Sequence, residues 1–204
     1  IDLLSISKDR VVFLDISHCG INAKNAKLFF VALANNKYLH RIQQLHIADM
    51  EMDNESFDAF DFYIKSLSED EKNELQSLDI GYTKTGLKYY LDSLNGTSKG
   101  PSFPLTTLSI AHSVVDQEAT DALTQFISRS KTLKCLDMSE THVNAESFAE
   151  IITTINHHKL SDFDLRMNRL DLKTGNLLPI FKAFLSTNLD NWRALSFDGN
   201  EMDQ

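Results

Sequence analysis

One frame of eleven residues recurs seven times along the chain, and it constrains the fold more than anything else in the sequence. In "LKCLDMSETHV", residues 133–143, apolar side chains take the first, fourth, sixth and eleventh places, and a small polar residue takes the ninth. The same frame gives Val11, Leu14, Ile16, Cys19 and Ile21, then Ile42, Leu45, Ile47, Met50 and Met52. It continues with Leu75, Leu78, Ile80 and Thr83 (polar Thr85 ends that unit), and with Leu105, Leu108, Ile110, Ser113 and Val115. "LSDFDLRMNRL" supplies Leu160, Phe163, Leu165, Asn168 and Leu170, and "WRALSFDGNEM" supplies Trp192, Leu195, Phe197, Asn200 and Met202. Successive frames start 31, 33, 30, 28, 27 and 32 residues apart.

The residue after each frame is Asn22, Asp53, Gly86, Asp116, Asn144, Asp171 or Asp203. All belong to the set that starts helices, where a short oxygen or a bare backbone meets unsatisfied N–H groups. Helical spacing follows: Phe57, Phe60, Ile64 and Leu67; Ala119, Ala122, Leu123 and Phe126; Phe148, Ile151, Ile152 and Ile155; and Phe181, Phe184 and Leu185. Each unit is therefore strand, turn, helix. A returning helix makes successive strands parallel and their crossovers right-handed. Helices are wider than the ~4.8 Å between strands, so the stack bends with its sheet on the hollow side. The expected fold is α/β: a right-handed solenoid of about seven repeats, parallel sheet on the concave face and helices on the convex face. "SEDEKNE" (68–74) reads as a solvated link, "LNGTSKGPSFP" (94–104) as an exposed loop, and "IDLLSIS" as a terminal strand.

The pattern L-x-x-L-x-L-x-x-(N/C)-x-L resembles the leucine-rich-repeat family over essentially the whole chain. Units of 27–33 residues with full helices are similar to its ribonuclease-inhibitor-like subclass, which includes ribonuclease inhibitor, the Ran GTPase activator, tropomodulin and CARMIL-like regulators of actin capping. Met50, Thr83, Ser113 and Thr141 depart from the family's Asn/Cys at the ninth place. The uneven repeat lengths look most like the cytoskeletal members. The start at Ile rather than Met reads as a piece of a longer protein, and the resemblance implies a single array over residues 1–204. It also implies a non-catalytic, cytoplasmic protein-binding scaffold. The alternative it leaves open is a GTPase activator that acts only through its bound partner.

Strand alternation turns the fourth and sixth places inward and the third, fifth and seventh outward, with the second and eighth flanking. The fifth place reads Asp15, His46, Asp79, Ser109, Asp137, Asp164 and Ser196, and Arg166 stands at a seventh place. The eighth reads His18, Asp49, Tyr82, His112, Glu140, Met167 and Gly199. Over the variable places, eight acids (Asp15, Asp49, Asp79, Asp137, Glu140, Asp162, Asp164, Asp198) face three bases (Lys134, Arg166, Arg193), about −5 of a net −9. The matching partner is a protein with a basic surface, anchored on Phe13, Tyr82 and Met167. The alternative is a solvated face, with contacts made by the helices. Net charge −9 argues against nucleic acid and anionic lipid.

Catalytic and metal readings are weak. Asp137 and Asp164 are better read as solubilising than as an acid–base pair, and His157–His158 as helix-end histidines lacking a third ligand. His18 and His112 stand three strands, roughly 14 Å, apart by strand spacing. No cofactor is called for. Two cysteines make no framework and suit a reducing compartment, with Cys19 a structural interior thiol and Cys135 outward-facing. The sequons at Asn54 and Asn95 point the other way.

Overall fold

The computed structural model of the protein describes residues 11–70, 72–96, 105–158, 163–166, 182–183 and 192–196. Strand and helix alternate along them. β1 (Phe13–Asp15), α1 (Ala23–Asn35) and a 3₁₀ turn (Leu39–Arg41) lead to β2 (Gln44–His46), α2 (Asn54–Ser68), β3 (Ser77–Asp79) and α3 (Leu87–Asn95). Then come β4 (Thr107–Ser109), β5 (Val114–Val115), α4 (Gln117–Arg129), β6 (Cys135–Asp137), β7 (His142–Val143), α5 (Ala145–His158), β8 (Phe163–Arg166) and β9 (Trp192–Ser196). The fold is α/β. Seven strands form a parallel sheet in the order β1-β2-β3-β4-β6-β8-β9, and β5 pairs with β7 in a second, two-stranded parallel sheet. Sequence reading misses that small sheet; it falls at the eleventh-place residues Val115 and Val143.

One row of leucines sets the register: Leu14, Leu45, Leu78, Leu108, Leu136, Leu165 and Leu195 pair in succession. This corrects the sixth frame by two residues. Leu165, not Phe163, holds the fourth place, so Arg166 moves to the fifth and Asp164 to the third. The backbone ladder agrees. In successive described units the sixth-place N–H donates to the next fifth-place carbonyl: Ile47 to Asp79 (2.9 Å), Ile80 to Ser109 (3.0 Å), Ile110 to Asp137 (2.9 Å) and Met138 to Arg166 (2.8 Å). Apolar residues two apart (Phe163, Leu165, Met167) satisfy either frame, which is why spacing alone misplaces the unit. A register irregularity at Phe163/Asp164 adjoins it.

Helices begin where their caps stand. Asn22 accepts from Asn25 N–H, Asp116 from Ala119 N–H and Asn144 from Ser147 N–H, while Asp53 and Ser56 form a reciprocal capping box. Gly86 caps α3 without a side chain: its φ is +86°, and a Cβ there would lie 2.7 Å from the Phe57 ring. Asp171, Asp203, "IDLLSIS" and the periodic residues Phe181, Phe184 and Leu185 lie outside the described residues.

Neighbouring helices pack in chain order, α1 on α2 through to α4 on α5. Their buried faces join the fourth and sixth strand places in one core cluster, including Phe30, Phe60, Tyr63, Leu78, Leu108, Leu136, Phe148 and Ile152. The helices therefore cover one face of the sheet and leave the fifth-place face to solvent. Burial depends on having a neighbour on each side. Leu45, Leu78, Leu108 and Leu136 are fully buried, whereas Leu14 on β1, which ends the described sheet, is only partly so. For the same reason Cys19 is exposed rather than interior, while Ser113 and Thr141 at the equivalent place are fully buried.

The loop at 94–104 starts later than its composition suggests: Leu94 and Asn95 close α3 and are buried, and residues 97–104 lie outside the described set. Asn95 Nδ2 donates to the Ala122 carbonyl at 2.8 Å, so this sequon is closed in the folded chain. Among the described residues no helix is long and apolar enough to cross a membrane.

Candidate functional site

The open sheet face presents the fifth-place row. Its aspartates have a structural task first. Oδ1 of Asp15 accepts from Ser17 N–H (2.9 Å), that of Asp79 from Gly81 N–H (3.0 Å) and that of Asp137 from Ser139 N–H (2.9 Å). Each carboxylate thereby closes the turn that ends its own strand. The Ser17 N–H holds the Asp15 carboxyl below its usual range, with the Ser17 side chain and the His46 and His18 rings adding to the effect.

The second oxygen faces along the row: Asp15 Oδ2 lies 3.9 Å from His46 Nδ1, and Asp137 Oδ2 lies 4.0 Å from Arg166 Nη1. Half-exposed Phe13 packs edge-on against the His46 ring at 5.1 Å. A shallow hollow of about 730 Å³ crosses the face, lined among others by His46, Asp79, Lys134, Cys135, Asp137 and Arg166. The face is thus mixed in sign locally, because Arg166 breaks the acidic row beside Asp137.

The seventh place is tighter than simple alternation implies. Ala48 and Gly81 are buried, and a Cβ on Gly81 would lie 2.6 Å from the Ala111 carbonyl. Small residues there let adjacent turns close up. The Ser17 hydroxyl also accepts from Ala48 N–H at 3.2 Å.

The eighth-place row has a feature that the sequence gives no warning of. His18, Asp49, Tyr82, His112 and Glu140 all take left-handed backbone, with φ of 56°, 61°, 58°, 59° and 56°. That conformation costs a non-glycine residue roughly 1–2 kcal/mol. Hydrogen bonds to the next unit hold it: the N–H groups of His18, Asp49, Tyr82 and His112 donate to the carbonyls of Ala48, Gly81, Ala111 and Ser139 at 2.7–3.1 Å.

The side chains then form a ladder. His18 Nδ1 lies 3.1 Å from Asp49 Oδ2, and the His18 ring meets Tyr82 edge-on at 4.5 Å. Tyr82 stacks on His112 at 4.1 Å, and His112 Nδ1 lies 3.2 Å from Glu140 Oε2. His18 and His112 are therefore joined through a single ring, well inside the roughly 14 Å that strand spacing gives.

Of the sequence-nominated residues, Asp15, His46, Asp79, Asp137 and Arg166 share the fifth-place row, and His18, Asp49, Tyr82, His112 and Glu140 share the eighth. Asp164 lies on β8 opposite Cys135. Met167, Asp162 and Asp198 lie outside the described residues. Neither cysteine is part of a disulfide, and among the described residues no group of three or more His, Cys, Asp and Glu could hold a metal ion.

Sequence reading also misses His40. It is 3% exposed, with Nδ1 2.9 Å from Asp70 Oδ2 and Nε2 3.1 Å from the Ala34 carbonyl. Asp70 Oδ1 accepts from Lys72 N–H, and that bond together with His40 holds the Asp70 carboxyl below its usual range. The link at 68–74 is therefore tied to the preceding unit rather than merely solvated. The signal available in the sequence is the His40–Asp70 separation of 30 residues, one repeat period.

Compared with known proteins, the chain matches no family model and no curated sequence.

Proposed function

We propose that the chain is a stretch of a leucine-rich-repeat solenoid of the ribonuclease-inhibitor-like kind, and that it works as a non-catalytic scaffold. Its open sheet face receives a protein partner with a basic surface. The observation that carries the reading is the single leucine row, Leu14 to Leu195, paired in register across seven parallel strands. Such a row repeats every outward place at about 4.8 Å intervals on rigid backbone. An exposed face of that kind is suited to recognising an extended surface. Phe13 and Tyr82, 53% and 39% exposed, supply aromatic anchors beside the carboxylates.

The test compares equal charge changes on the two sides. Asp49→Asn, Asp79→Asn and Asp137→Asn together remove three negative charges from the sheet face while keeping an acceptor oxygen at each position. Asp58→Asn, Asp121→Asn and Glu150→Gln do the same on the helices. Binding of a lysine-rich helical peptide, followed by calorimetry, should weaken about tenfold for the first set and much less for the second. Equal weakening by the two sets overturns the sheet-face reading.

A further inference from the structure

Beside the ring ladder, where the turns of the second and third units approach α3, lies a hollow of about 460 Å³. Its polar rim holds Asp49, Glu51 and Lys84. Its walls are Tyr82, Tyr90 and the thioethers of Met50 and Met52, both only partly exposed. Two independent features mark it as built to receive something.

The first is the arrangement of acceptors. Glu51 is exposed and holds no ion pair among the described residues. Asp49 is half-exposed, with one oxygen engaged by His18. The second is Tyr90. The residue is 2% exposed, its ring is fixed edge-on against Phe57 and Phe60 at 5.2 and 4.9 Å, and it lines the hollow. Its hydroxyl has no hydrogen-bond partner among the described residues. Burial raises the Tyr90 phenol well above its ordinary value, so it stays protonated and keeps a lone pair for a donor. Unlike the Tyr63 hydroxyl, it is not sealed from solvent, so a donor entering from outside can reach it.

We infer that this hollow is the anchor pocket for an arginine side chain of the partner, a reading that rests on the sheet-face proposal above. The methionines flank the aliphatic stem, since a flexible thioether adapts to an unbranched chain. The guanidinium presents five donors in a plane, and the residues lining the pocket offer it the carboxylates of Asp49 and Glu51 and the hydroxyl of Tyr90. A lysine ammonium on the same stem offers three donors from one point and meets fewer of them. Lys84 is the one lining residue that opposes the ligand.

The test uses the whole chain, isotopically labelled, titrated with hexa-arginine and then hexa-lysine, with backbone amide shifts followed by NMR. The pocket reading expects the largest changes with hexa-arginine at residues 49–52 and 82–85, and affinity at least threefold above that for hexa-lysine. Tyr90→Phe, which removes only the hydroxyl, should lower hexa-arginine affinity severalfold and narrow the preference over lysine. Glu51→Gln should also lower it, and Lys84→Ala should raise it. An unspecific attraction of charge would leave Tyr90→Phe indistinguishable from the parent chain, and that result overturns the pocket. Shift changes confined to residues around Asp79 and Asp137 overturn the pocket but leave the sheet-face reading standing. No shift changes with either peptide remove both.

Discussion

The fifth- and eighth-place rows run side by side, yet they use their polar atoms differently. The fifth-place aspartates spend one oxygen each on their own backbone two residues ahead, at Ser17, Gly81 and Ser139. The eighth-place side chains bond across units, from His18 to Asp49 and from His112 to Glu140, with Tyr82 wedged between the two imidazoles. The first row shapes each turn. The second joins the turns to one another, on backbone that glycine would hold with less strain. An acidic strand position is therefore not free to change merely because it is exposed, and an aromatic rim position carries both an intramolecular contact and an accessible surface.

The largest effect that would break this contrast is at Asp137. Asp137→Ala removes the acceptor for Ser139 N–H together with the Arg166 contact, and should cost about 1–2 kcal/mol in urea unfolding. Asp137→Asn keeps the acceptor and should cost less than about 0.5 kcal/mol. Equal costs would mean that the carboxylate does not close the turn.

Next comes the eighth place. Tyr82→Ala loses the stack and keeps the left-handed strain, whereas Tyr82→Gly loses the stack and relieves the strain. The glycine variant should be the more stable of the two by about 1 kcal/mol. An alanine variant as stable as the glycine one would show that the turn is not strained.

The smallest effect is in acid. Asp15 and Asp70 both titrate below the unfolded carboxylate value of 3.8. The unfolded chain therefore binds protons first as the pH falls, so their stabilisation is full above about pH 4 and is lost as the pH drops through the folded values. Asp15→Asn and Asp70→Asn should each flatten the acid limb of a stability–pH curve. Asp70→Asn should do so more, because its partner His40 is buried and Asp15 is half-exposed. A limb unchanged by either substitution would contradict the assigned hydrogen bonds.

Much of the scaffold was legible because two local signals coincide at a fixed spacing. Leu45, Leu78, Leu108 and Leu136 mark strands, and Asn22, Asp53, Gly86, Asp116 and Asn144 start helices as their chemistry requires. The misplacement of the sixth unit comes from alternation itself: a period of two cannot distinguish Phe163 from Leu165 as the fourth place, and only the pairing with Leu136 decides it. Cys19 was misread because burial belongs to the stack rather than to the frame. Of the nominated side chains, Asp164 falls at the third place opposite Cys135 and the others fall on the fifth- and eighth-place rows. What no pattern disclosed was how they are used: the aspartate turns depend on backbone two residues ahead, the left-handed rim on carbonyls about thirty residues away, and the Tyr82 contacts on histidines 64 residues before and 30 residues after it.

The register is the foundation of every placement above, and hydrogen-bond scalar couplings read it directly. Magnetisation should pass from Ile47 N–H to the Asp79 carbonyl, from Ile80 to Ser109, from Ile110 to Asp137 and from Met138 to Arg166. A coupling from Met138 to the Asp164 carbonyl instead would restore the sixth unit's other frame, and reciprocal couplings of antiparallel pairs would contradict the parallel stack altogether.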